Sequence, residues 1–149
     1  MRAVVQRVSS ASVSVDGTVR GSIGNGILAL VGVARDDNEE DARYIASKIA
    51  SLRIFDDDAG KMNRSIAESR GSVLCISQFT LHGNARKGRR PSYNGAAPPE
   101  TAEPLFDAVC EQLRGDGLAV ETGVFGAKMQ VEMIGDGPVT ILLDSQKEF

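Results

Sequence analysis

The sequence predicts a mixed α/β fold, rich in hairpins, with helices on one side of the sheet. Three observations predict it. β-rich runs open the chain in hairpins, two amphipathic helical stretches separate the later runs, and turn signals punctuate both. Hairpins give antiparallel pairs and helical crossovers give parallel ones, so the sheet is expected to be mixed. The chain has 149 residues. Against ~150 residues per domain, that length predicts one domain over residues 1–149.

Each element has its own signal. Residues 2–8 (R-A-V-V-Q-R-V) are β-rich and put Val4, Gln6 and Val8 on one face. In residues 11–15, Val13 and Val15 alternate with Ser12 and Ser14, and Asp16-Gly17 makes a two-residue hairpin turn into Thr18–Ile23. Gly24-Asn25-Gly26 reads as a second turn. Ile27 to Ala34, almost wholly apolar, reads as a central strand covered on both faces. Asp37 with Glu40 three positions later resembles a capping box, and Ala42, Ile45, Ala46, Ile49 and Leu52 fall on one helical face. Asp56 to Gly60 is a polar turn, and Ser72 to Gln78 a strand with an apolar centre.

The second helix is expected over about Glu100 to Arg114, with the stripe Leu105, Phe106, Val109, Cys110 and Leu113, and with Gly115 closing it. Pro104 lies in its first turns and moves the expected start later. Leu118–Thr122, Lys128–Ile134 and Val139–Leu143 complete the strands, the last two joined by a turn at Asp136-Gly137-Pro138.

Composition excludes several classes. Hydrophobic residues are 42%, charged residues 25% and the net charge is −3, too apolar and too nearly neutral for a disordered chain. The apolar run Ile27–Val33 falls far short of the ~20 residues of a membrane span. The opening Met1-Arg2-Ala3-Val4 lacks an apolar signal segment, which argues against secretion. Cys75 and Cys110 read as buried thiols in a reducing compartment. Two cysteines, one histidine and no C-x-x-C argue against a structural zinc site, so no metal and no cofactor is expected.

Charge is unevenly distributed. Asp36 to Asp41 holds five acids in six positions just before a helix, where the dipole favours negative charge. Arg86 to Arg90 holds four cations in five, between Gly83 and Pro91. Arg86, Lys87, Arg89 and Arg90 are either a solvated loop or a phosphate grip.

His82 is the only histidine, so any Ser-His or Cys-His catalysis would have to use it. Beside Gly83, it reads as an exposed loop residue, and hydrolysis here would work without a conventional base. Ser77-Gln78-Phe79-Thr80-Leu81 ends a strand with three polar side chains in four positions. On an extended chain Ser77 and Phe79 face one way, Gln78 and Thr80 the other. Such a strand end either satisfies a turn or forms a site. Gly137-Pro138 sits in a turn, where trans is the default and a cis bond would present neighbouring carbonyls as a rigid acceptor pair.

Taken in order along the chain, these segments resemble the D-aminoacyl-tRNA deacylase family. The resemblance is carried by Met1-Arg2-Ala3-Val4-Val5-Gln6-Arg7-Val8, Leu52-Arg53-Ile54-Phe55 and Gly60-Lys61-Met62-Asn63. It continues through Ser77-Gln78-Phe79-Thr80-Leu81 and Arg86-Lys87-Gly88-Arg89-Arg90-Pro91-Ser92. It ends with Gly126-Ala127, Met129 and Asp136-Gly137-Pro138-Val139-Thr140. It implies a compact domain of β layers with helices packed on one side. It also implies a cytoplasmic hydrolase that cleaves the ester of D-aminoacyl-tRNA, and of glycine misattached to tRNA, and acts as a homodimer with sites at the subunit interface. In that scheme Gly137 and Pro138 form a Gly-cis-Pro gate against L substrates. Ser77, Gln78, Phe79 and Thr80 receive the terminal adenosine and aminoacyl group, Met129 lines the pocket, and Arg86, Lys87, Arg89 and Arg90 meet tRNA phosphates. Attack is expected either from Thr80 or with help from the terminal 2′-hydroxyl, and the absence of a suitable base favours the latter. His82, where relatives often carry tyrosine, and Tyr93, where many carry phenylalanine, depart from the pattern. The rival readings are a non-catalytic RNA-binding module and a structural dimer.

Overall fold

The computed structural model describes all of residues 1–149. A long strand, β1 (Arg2–Val15), organises the sheet. The Asp16-Gly17 turn, with φ of 49° and 78°, reverses the chain as expected of a two-residue hairpin loop. The return arm is β2 (Thr18–Ile23) and then β3 (Gly26–Gly32). Both pair with β1 in one shared register, Ala11 opposite Ile23 and Val8 opposite Gly26. Gly24-Asn25 is therefore a break in one long arm and not the reversal expected from its composition.

Two crossovers then build the parallel half. From β3 the chain passes through α1 (Glu39–Ser51) and a small ribbon, β4 (Phe55–Asp56) with β5 (Met62–Arg64). It returns as β6 (Ser72–Ser77), parallel to β3. From β6 it passes through α2 (Pro99–Gly115) to β7 (Val120–Thr122), parallel to β6. The last strand, β8 (Gln130–Asp144), pairs antiparallel with the other edge of β1 over nearly its whole length. The fold is the mixed α/β architecture expected, with two α-helices. No helix is long and apolar enough to cross a membrane.

The expected hairpin at Asp136-Gly137-Pro138 does not exist. β8 runs straight through it. Between the pairs Gln6–Thr140 and Ser10–Ile134, β1 has three residues and β8 has five, so the segment is a bulge in a continuous ladder.

Helix ends show why local signals shift. The N-cap of α1 is Asn38, whose Oδ1 accepts from Glu40 N at 2.8 Å while Asp41 Oδ2 accepts from Asn38 N at 2.9 Å. Asp37 cannot cap, because its carboxylate already takes the Met1 amino group at 2.5 Å and Ala34 N at 2.6 Å. Leu52 follows the helix and is partly buried. α2 begins at Pro99 and keeps Pro104 inside it. Its C-terminal glycine is Gly117 (φ 87°), with Leu118 N donating to Leu113 O and Gly117 N to Arg114 O. Gly115 is still helical.

The core has two parts. Ile27, Ala29, Val31, Val73 and Cys75 face Ile45, Ile49, Phe106, Val109 and Leu113 of the helices. Leu28, Leu74 and Ile76, on the opposite face, meet Val8, Ala11, Val13 and Ile23, where the long hairpin curls under the sheet. Each such Ile or Leu, buried fully, contributes roughly 1.5–3 kcal/mol. β3 is covered on both faces, as its composition requires. On β1, Ala3 and Val5 turn to the helices, and Val8, Ala11 and Val13 to the second cluster. At Gly21 an added Cβ would stand 2.8 Å from Thr122 O, which shows how closely the curled arm passes β7.

Candidate active site

The parallel strand β6 ends at Ser77, one residue earlier than expected. Gln78 N still donates to Val31 O at 2.8 Å, and the chain then coils into a short 3-10 helix, Phe79–His82. The alternation expected of an extended chain is lost there. Ser77, Gln78 and Phe79 all border one cavity, and Thr80 does not. The turn sits on β3 because Gly32 has no side chain: a Cβ there would lie 2.7 Å from Gln78 O. Arg2 braces the far end, donating from Nη1 to Leu81 O at 3.4 Å.

The cavity measures about 590 Å³ and lies between the sheet and the start of α2. Thirteen of its seventeen lining residues are hydrophobic, so it suits a planar or apolar group with a few polar contacts at its edge. Its walls include Ile76, Phe106, Phe125, Ala127 and Met129. Met129 lines the same cavity as Ser77, Gln78 and Phe79. Ala96, Ala97, Pro99, Ala102, Phe106 and Phe125 also line the cavity, and sequence reasoning missed them in this role. Their local signals were a small-residue run before a helix, a helix stripe and, for Phe125, a lone aromatic in the loop after β7, all of which equally well describe core.

The cationic loop leads into Tyr93, which borders the cavity. Asn84 and Ser92 exchange backbone bonds of 2.8 and 3.0 Å and close the loop at its base. Gly88 takes φ 74° at its tip. Arg86, Lys87, Arg89 and Arg90 are exposed, and no carboxylate lies within 4.0 Å of any of them. Residues 69–99 contain no Asp or Glu at all, so the rim is basic without local neutralisation.

Thr80 Oγ1 accepts from Gln78 Nε2. An amide donor cannot take a proton, so Thr80 has no base there. His82 Nε2 is buried without a partner, and no hydrogen bond joins His82 to Ser77, Thr80 or a cysteine. Its ring packs beside Gly32, so it is half-buried and not the exposed loop residue expected. Cys75 and Cys110 are free and buried, as expected. The Cys110 contact and complete burial push the Cys75 thiol well above its ordinary range, which leaves it inert as a nucleophile. No cluster of three His, Cys, Asp or Glu side chains is arranged to hold a metal ion.

Gly137 and Pro138 lie elsewhere. Their peptide bond is cis and both residues are exposed. None of residues 136–139 lines the cavity. Arg7, almost wholly buried, holds the turn: its Nε donates to Asp136 O at 3.2 Å and lies 3.1 Å from Asp136 Oδ2. Its Nη1 donates to Ile54 O at 2.8 Å and to Asp56 Oδ1 at 3.3 Å. Within one chain the structure thus separates the two candidate segments.

Comparison with known proteins bears on the whole chain. The family model described as D-Tyr-tRNA(Tyr) deacylase matches residues 4–144. The D-aminoacyl-tRNA deacylase of Anaeromyxobacter dehalogenans is 64% identical over 149 residues, with 100% of both chains covered. That of Fervidobacterium nodosum is 59% identical over the same span, again with 100% of both covered. A solved structure, the c-Myc DNA Unwinding Element Binding Protein, matches with a TM-score of 0.91 and 42% identity, covering 97% of this chain and 98% of its own. The matched span includes the Ser77–Thr80 turn, the cavity walls, the cationic loop and the Gly137-Pro138 segment, and on that footing the chain belongs to the D-Tyr-tRNA(Tyr) deacylase family, hydrolases acting on aminoacyl-tRNA.

Proposed function

We propose that the chain hydrolyses the ester between a D-amino acid and the 3′ end of tRNA, in the cytoplasm, as one compact domain that works in a homodimer. The observation that carries this reading is the apolar cavity at the end of β6, rimmed by a loop of four unpaired cations. The cavity receives the terminal adenosine and aminoacyl group, with Ser77, Gln78 and Phe79 at its edge, Thr80 on the same turn just outside it and Met129 in its wall. Arg86, Lys87, Arg89 and Arg90 meet the phosphates behind it.

Gly137 and Pro138 act as the chirality gate, on the cavity of a second copy. Their separation from the cavity of their own chain supports this. So does β8, an otherwise unpaired edge that exposes Val131, Met133, Ile134 and Leu142. The carbonyls of the gate hold the substrate amino group, and its backbone leaves no room for an L side chain. Glycine has nothing to reject and is cleaved as well. A pocket short of one methylene discriminates by only ~1–3 kcal/mol, and a clash with rigid backbone does more.

Water adds to the ester carbonyl with assistance from the terminal ribose 2′-hydroxyl. The bond from the carbonyl carbon to the ribose 3′-oxygen breaks, and that oxygen leaves protonated as free tRNA. The protein positions the ester and offers backbone amides of the Phe79–His82 turn to the developing oxyanion. The lack of a base beside Thr80 supports this route over attack by Thr80.

Release of amino acid from tRNA charged with D-tyrosine or L-tyrosine tests the reading. The D ester is cleaved, the L ester is not, Thr80→Ala keeps most activity and a 2′-deoxy terminal ribose abolishes it. Loss of activity in a folded, tRNA-binding Thr80→Ala protein overturns the mechanism. A second reading, nucleic-acid binding without turnover, is favoured by the acid-free loop alone. It predicts salt-dependent tRNA binding with release of neither amino acid.

A further inference from the structure

Tyr93 is not explained by the reading above. It follows the base of the cationic loop, borders the cavity and is 40% exposed. Its ring meets Phe79, 56% exposed, edge to face at 5.2 Å between centroids and 73° between planes. Two large apolar rings left this open to water on the rim of an apolar cavity are unusual unless something covers them.

The ring is also held in place. On one side is the Asn84–Ser92 pair. On the other, Arg35 Nε donates to Asn94 O at 2.5 Å, Arg35 N to Gly95 O at 3.2 Å, and Ala34 bridges to Ala96. Gly83 lets the ring close in, since a Cβ there would sit 3.0 Å from Tyr93 Cε1. A fixed aromatic surface loses little freedom when a flat partner covers it. The four cations lie on the loop that closes at Ser92, immediately before Tyr93 in the chain.

An aromatic ring beside unpaired cations on a cavity rim matches single-stranded nucleic acid: bases stack on the ring while phosphates meet the cations. We propose that Tyr93, supported by Phe79, is the stacking platform for the base immediately 5′ to the terminal nucleotide of the RNA. The inference rests on the cavity taking that terminal nucleotide. The next base leaves the cavity at its rim, its 5′ phosphate toward Arg86–Arg90. The platform reads the presence of a base more than its identity, since every base offers a flat face.

The test uses non-hydrolysable probes in which D-tyrosine is amide-linked to 3′-amino-3′-deoxyadenosine. One probe is the nucleoside alone, the second adds one 5′ cytidine, and the third adds one 5′ abasic ribose with the same phosphate. The quantity read is the ratio of Kd between the abasic and cytidine probes within each protein, so general damage to the cavity cancels. In the wild type the cytidine probe binds at least about five-fold tighter. Tyr93→Phe keeps that ratio, and Tyr93→Leu brings it to about one. A wild-type ratio near one, or a Tyr93→Leu ratio equal to wild type, overturns the assignment while leaving the cavity reading intact. Failure of the wild type to bind even the nucleoside probe overturns both.

Discussion

The rim of the cavity and the Asp136–Pro138 bulge differ in how the chain holds them. The rim turn is packed on Gly32, bonded to Val31 and braced by Arg2, and its loop is closed by Ser92 and tied down again through Arg35. The bulge projects from the middle of an edge strand, and the side chain that holds it is Arg7. One region is a receptacle built into the core. The other is a projection kept in shape and left uncovered.

The comparison breaks most sharply at Gly137. Its φ is 128°, and an added Cβ would lie 2.7 Å from Val139 N. Gly137→Ala is expected to lower kcat/KM for D-tyrosyl-tRNA by about 100-fold, the scale of a small misplacement at a reacting centre. The exposed bulge lets the chain still fold, which circular dichroism checks. An unchanged rate would remove the bulge from the reaction. At the receptacle, Gly32→Ala drives a methyl group toward Gln78 O and is expected to cost ~1–3 kcal/mol in urea unfolding, as overpacking does. It lowers activity as well. Gly24→Ala, where a Cβ meets nothing within 4 Å, is the matched control and stays within about 0.5 kcal/mol.

Smaller effects sharpen the same contrast. Replacing Arg89 with Gln should reduce the salt slope of tRNA binding by about 0.7, and replacing Arg90 as well by about twice that. Neither should move the unfolding midpoint, because neither side chain has a partner to lose. The smallest effect is at Asp41, which belongs to neither region. Burial raises its carboxyl, but the Ser145 hydroxyl, the Asn38 amide, the amino terminus and Gln146 outweigh burial and hold it below its ordinary value. Its contribution is present above the unfolded-state value of about 3.9 and is lost as pH falls through the depressed folded value. Asp41→Asn should therefore lower the thermal midpoint at pH 7, with the gap to wild type closing below about pH 4. A constant gap down to pH 2 would mean that the carboxylate charge contributes nothing.

The elements easiest to read from sequence were those whose signal is repeated within a few residues. The α1 stripe Ala42, Ile45, Ala46 and Ile49, the α2 stripe from Leu105 to Leu113, and the two-sided burial of β3 all follow from periodicity and composition. The Asp16-Gly17 reversal follows from two residues that tolerate positive φ. The residues of the candidate site were legible as motifs, and their arrangement was not. Ser77 to Thr80 looked like the continuation of a strand, because nothing local announces that Gln78 will coil onto Gly32. Phe106 looked like core, because lining a cavity and filling one demand the same side chains.

Gly137-Pro138 marks the boundary between the two kinds of information. By itself the sequence determined which segments are strands and helices, where charge gathers and which residues are chemically able to form a site. Only the tertiary structure decided that β8 runs through Gly137-Pro138 without reversing. The reason is physical: β1 pairs with β8 on both sides of the bulge, and those pairs join residues 116 to 142 positions apart. A turn signal two residues long cannot register a ladder that distant. The same long-range ladder leaves the bulge exposed at a sheet edge and separates it from the cavity.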